Sequence, residues 1–175
     1  MYIDLLSKRR RLWLMHIYVG DASDVIRRIL TNHCRGNVEG SALRRAAAED
    51  MGYKLSKTKR PSGSTRVRID LPNPRMGENV VSAYICSGEW KYVICNSYNE
   101  AHDFQWYVID QLRPILNKKF KQWNIQEAST YQCLLNQLLK SESLSYTVLC
   151  EKRSGPGAYV FSHEFTPKDF RKNQF

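Results

Sequence analysis

The chain has 175 residues, 42% apolar and 25% charged, a balance that supports one ordinary globular core and excludes wholesale disorder. Its formal charge of +10 favours a polyanionic partner, nucleic acid above all. Five scattered cysteines with no C-x-x-C pair exclude zinc-finger spacing and a disulfide framework, and no apolar run approaches the roughly 18 residues of a membrane span. The charges in MYIDLLSKRRRLWLM interrupt its apolar stretch, unlike those of a signal peptide, so the expectation is an intracellular protein, cytoplasmic or nuclear, not secreted.

In chain order, MYIDLL (1–6) and LWLMHIYV (12–19) predict a β-hairpin across the basic turn Ser7–Arg11. Tyr18-Val19-Gly20 then ends the strand, Asp21 or Ser23 caps a helix over 23–34, and Val25, Ile26, Ile29 and Leu30 give that helix a buried stripe. Ser41 starts a second helix, ALRRAAAEDM, stopped by Gly52. KLSKTKRPSGSTRVR (54–68) carries six Lys or Arg and no acid; it reads as a loop, either solvated or in contact with phosphate. GENVVSAYICSG (77–88) predicts a short helix or irregular segment, EWKYVICNSY (89–98) a strand, and Asn99 the cap of a helix ending before Pro114. A helix over 124–139 and a hairpin, SYTVLCEKR–SGPG–AYVFSHEF, complete the chain.

Three blocks in order give this pattern a likeness. IYVG (17–20) with Arg28 eight residues after Gly20, the loop and helix NHCRGNVEGSALRRAAAEDMG (32–52), and WYVIDQLRPILN (106–117) together resemble the GIY-YIG nuclease superfamily. The resemblance spans about residues 12–117. It implies a small three-stranded antiparallel sheet (2–6, 12–19, 90–97) flanked by helices in an α/β domain over 1–123; residues 124–175 lie outside the resemblance and read as a helix–hairpin appendage packed on that domain. It further implies a metal-dependent endonuclease acting on nucleic acid, DNA rather than RNA, with Mg²⁺ or Mn²⁺ as cofactor.

Residue by residue, the resemblance makes Tyr18 the activator of water, Arg28 the clamp on the scissile phosphate, and Tyr2 the nearest match to the first motif tyrosine. His33, about a turn beyond the arginine, becomes a candidate general base or phosphate ligand, and Asn117 closes the metal-site helix. The metal-binding glutamate of the family falls twelve residues before that asparagine, where this chain has Gln105. Glutamine keeps the shape and loses the charge on which Mg²⁺ depends. Two explanations stand: a nuclease-derived binder without cleavage, or a glutamate replaced by its isostere.

The chemistry stands apart from the family. Phosphodiester hydrolysis needs a nucleophile, charge neutralisation and help for the leaving oxygen. A guanidinium gives bidentate hydrogen bonds to phosphate oxygens, and a tyrosine beside a cation can orient or deprotonate water. Lys8, Arg9, Arg10, Arg11, Arg27, Arg35, Arg44, Arg45, Lys57, Lys59, Arg60, Arg66, Lys118, Lys119 and Lys121 are the candidate backbone contacts. Of these, Arg27 points about 100° round the helix from Arg28.

Overall fold

The computed structural model describes residues 15–121, 123, 125–153 and 155–165. The expected first strand, Tyr2 and the run Lys8, Arg9, Arg10, Arg11 lie outside the described residues.

Strand β1 (Met15–Ala22) runs through the YVG stretch instead of ending at it. Gly20 and Asp21 pair with Phe161 and Val160 of the last strand, so Gly20 is not a turn residue. A Cβ there would come within 2.6 Å of Phe161 Cζ and 3.1 Å of Tyr18 Cε1, and only glycine lets the Phe161 ring cross the strand. Asp24 then caps a single turn, α1 (Val25–Arg27), accepting from the Arg27 amide. The chain continues as a π-helix, Arg28–Cys34, closed by Arg35 N–H donating to Leu30 O. The one helix expected over 23–34 is therefore wound in two ways, and Arg28 sits at the change.

Ser41 caps α2 (Ala42–Asp50) as the sequence predicts, its Oγ accepting from the Arg44 amide. The expected loop over 54–68 is instead a hairpin of β2 (Leu55–Lys59) and β3 (Thr65–Ile69), with Gly63 at φ +78° in its tip. The basic residues hid an alternation: Leu55 pairs with Ile69 and Lys57 with Val67, and buried Ile69 anchors the hairpin. Helix α3 (Pro74–Cys86) starts earlier than expected, with Asn73 as cap and Pro74 at the first position, where a missing N–H costs nothing. After β4 (Glu89–Cys95), helix α4 (Tyr98–Leu112) is capped by Ser97 rather than Asn99, and Arg113 at φ 47° ends it before Pro114.

The final segment departs most. Helix α5 (Ile125–Lys140) forms, but after β5 (Leu144–Ser145) the residues expected as a hairpin arm form helix α6 (Tyr146–Glu151), because Ser145 caps them. Strand β6 (Ala158–Phe165) then enters between β1 and β4, antiparallel to both, with all eight residues buried. Among the described residues the sheet is thus four-stranded, order β1-β6-β4-β5, and β6 is an inner strand rather than an arm of the expected terminal hairpin. The mixed α/β class stands; the three-stranded sheet does not.

The sheet is covered on both faces. On one, Tyr18, Trp90 and Phe161 pack with Ile29, Leu43 and Val81 from the π-helix, α2 and α3. On the other, Val19 and Val160 pack with Phe104, Val108 and Leu138 from α4 and α5. Burial of each such large apolar side chain contributes about 2–3 kcal/mol.

Candidate functional site

The outer edge of β1 carries the site. Leu116 N–H donates to Ile17 O at 2.9 Å. Asn117 lies across Val19 like a strand residue: Oδ1 accepts from Val19 N–H at 2.8 Å and Nδ2 donates to Val19 O at 3.0 Å. The turn after α4 is thereby pinned to the strand beside Tyr18. A cavity of about 440 Å³ opens there, lined by Tyr18, Gln105, Trp106 and Asn117 and rimmed by Arg45, Glu49, Lys57, Lys118 and Lys119.

Tyr18 is only 8% exposed, its ring edge-on to His33 at 5.8 Å. Desolvation raises its phenol pKa, Arg28 and Arg45 pull it down and Asp21 pushes it up; desolvation wins and the pKa ends raised. The hydroxyl at this position is therefore neutral at ordinary pH, suited to orienting a water rather than to acting as a base.

His33 is fully buried, not on the cavity surface where a base or phosphate ligand must stand. Its Nδ1 shares a 2.7 Å hydrogen bond with Ser41 Oγ, and its ring stacks on Trp90 at 6.0 Å. Desolvation first, then the charge of Arg28, lowers its pKa well below 6.5, so it is a neutral ring that holds Tyr18 from behind.

Arg28 is half-buried and lines a neighbouring cavity with Asp21, Asp24, Arg27 and Tyr98. It forms no ion pair among the described residues. Tyr18 and Arg28 thus line different cavities while remaining close enough for Arg28 to act on the phenol electrostatically.

A hydrogen-bonded chain that sequence reasoning missed joins the two. Trp106, beside Gln105, donates from Nε1 to His102 Nε2 at 3.4 Å, and His102 Nδ1 meets Asp21 Oδ2 at 2.9 Å. The signal was present as an i, i+4 pair on α4 one residue out of step with Gln105.

The basic candidates separate into three groups. Arg44 is 0% exposed: its guanidinium meets Glu78 Oε2 at 2.6 Å, Ser82 Oγ at 2.9 Å and the carbonyls of His33, Cys34 and Glu78. It is a structural residue, and the reading of it as a phosphate contact is corrected. Arg45 spends donors on Val38 O and Glu39 O, Arg60 pairs with Glu39 at 2.7 Å, and Lys118 pairs with Glu49. Arg35 donates to Tyr146 Oη at 3.0 Å, and Lys121 lies over the Trp123 ring at 4.2 Å. Arg27, Lys57, Lys59 and Lys119 are exposed, and Arg66 is half-buried.

Magnesium or manganese is the group the resemblance implies, and the donor set does not fit it. Gln105 offers a neutral carbonyl oxygen, and the single carboxylate among the described lining residues, Glu49, is engaged by Lys118. Among the described residues no three His, Cys, Asp or Glu side chains converge. Comparison with protein-family models, with curated proteins and with solved structures gives no match for this chain. Among the described residues no helix is long and apolar enough to cross a membrane.

Proposed function

We propose that the chain is a DNA-handling protein of GIY-YIG endonuclease type whose hydrolysis is arrested at position 105. One observation carries the reading: Tyr18 from one stretch of sequence, and Gln105 and Asn117 from another more than eighty residues away, line one cavity at the edge of β1. Arg28, free of ion pairs among the described residues, supplies the guanidinium that a phosphate needs. The neutral Tyr18 hydroxyl orients a water, Asn117 fixes the strand that carries it, and Lys57 and Lys119 hold the flanking backbone. Glutamate at 105 restores the charge that a divalent cation requires.

A second reading, a nucleic-acid-binding module that does not cut, is favoured by Gln105 and by the engagement of Glu49 with Lys118. The two separate on incubation of plasmid and branched DNA with Mg²⁺ or Mn²⁺, using the chain and its Gln105→Glu variant. Cutting by the variant alone supports the arrested nuclease, and salt-sensitive binding without cutting by either supports the binder.

A further inference from the structure

The β2–β3 hairpin carries cations on both faces, and the faces look into different cavities. Lys57 contributes to the wall of the Tyr18 cavity. Arg66 and Arg68, opposite Thr58 and Ser56, alternate with Lys57 and Val67 and so stand on the other face. They line a separate groove of about 660 Å³ whose further walls carry Arg75 from α3 and Arg35.

The carboxylates of this groove are already engaged. Glu39 pairs with Arg60 at 2.7 Å, while Glu78 pairs with buried Arg44 at 2.6 Å and accepts from Val38 N–H at 2.9 Å. Arg66, Arg68 and Arg75 form no ion pair among the described residues. Guanidiniums gathered without counter-charge repel one another, and their forked donors match phosphate oxygens. The groove is thus an anion site by charge and donor geometry, separated from the Tyr18 cavity by one basic hairpin.

We propose that the arginine groove takes a second phosphate backbone, so that duplex DNA straddles the β2–β3 hairpin with one strand in the Tyr18 cavity and the other against Arg66, Arg68 and Arg75. This rests on the reading of the Tyr18 cavity as a nucleic-acid site and names its substrate as double-stranded.

The test is a fluorescence-anisotropy titration of a labelled DNA duplex, and of one of its strands alone, at several salt concentrations. It compares the chain as it stands with Arg66→Ala/Arg68→Ala/Arg75→Ala and with Lys57→Ala/Lys119→Ala. The arginine variant is expected to weaken duplex binding about ten- to hundredfold near 0.15 M salt and to lower the log–log salt slope by about 2–3, at roughly 0.9 per phosphate lost. Its single-strand affinity changes by less than about twofold, and a triple Arg→Lys variant recovers the slope. An unchanged duplex affinity, an equal loss on both ligands, or no recovery with lysine overturns the proposal. Failure of the underlying reading looks different: the lysine-to-alanine pair then binds both ligands normally, while the arginine variant still reports on the groove.

Discussion

Replacing Arg44 by methionine removes a guanidinium that is 0% exposed and makes six hydrogen bonds. Three backbone carbonyls, those of His33, Cys34 and Glu78, lose a donor each. The Glu78 carboxylate loses its cation and keeps the Val38 amide at 2.9 Å. Breaking a buried pair from one side costs about 3–5 kcal/mol, and the 18% exposure of the Glu78 side chain, which admits water, places this case near the lower figure. A loss of about 3 kcal/mol is a large part of the 5–15 kcal/mol that holds a domain together. Urea unfolding at pH 7 measures it as a fall in the midpoint with unchanged slope. Arg44→Lys recovers less than half, since an ammonium cannot span carboxylate and carbonyls together. A loss below about 1 kcal/mol, accompanied by a reduced salt slope for DNA binding, would refute the structural role and return Arg44 to the phosphate contacts.

Gly20→Ala drives a methyl to 2.6 Å from Phe161 Cζ, and thermal unfolding is expected to show a loss of about 1–3 kcal/mol; a neutral substitution would mean that the Phe161 ring yields freely. Asn117→Leu removes two hydrogen bonds to Val19 and releases the edge of β1, so it lowers stability by about 1–3 kcal/mol and, by urea titration and DNA binding on the same sample, weakens both together; binding unaffected by the change would detach Asn117 from the site. Buried His163, pushed down to about 3, and His33, held well below 6.5, are neutral in the folded chain. Their folded values lie below the unfolded one, so the unfolded chain binds the extra protons: stability is full above about pH 6.5 and falls on acidification toward the folded values, by up to about 1.4 kcal/mol per pH unit for each ring. Urea midpoints at pH 7 and pH 5 should show the fall, and equal midpoints would contradict it.

Much of the site was legible because its parts are local. Ser41 as a cap, the helix ending before Pro114 and the strand at Glu89–Cys95 follow from capping, proline and β-branched density. Tyr18, Gln105 and Asn117 were legible as positions in motifs and share a cavity. What escaped was decided by tertiary pairing. Tyr146–Glu151 has the composition of a strand but lies after a capping serine, and AYVFSHEF found its partners in β1 and β4 rather than in its sequence neighbour. Arg44 and His33 look like surface chemistry in a basic loop–helix, and burial turns them into scaffold. The Asp21–His102–Trp106 chain needed α4 laid beside β1 before it became visible.

The most direct measurement is cleavage of plasmid and branched DNA with Mg²⁺ or Mn²⁺ by the Gln105→Glu variant, alongside Tyr18→Phe and Arg28→Ala made in that background. An arrested nuclease site predicts cutting by Gln105→Glu, none by the chain with Gln105, and loss of cutting by at least about a hundredfold in each double variant. Binding of DNA by every form with cutting by none would contradict the arrested-nuclease reading and leave the cavity as a binding site.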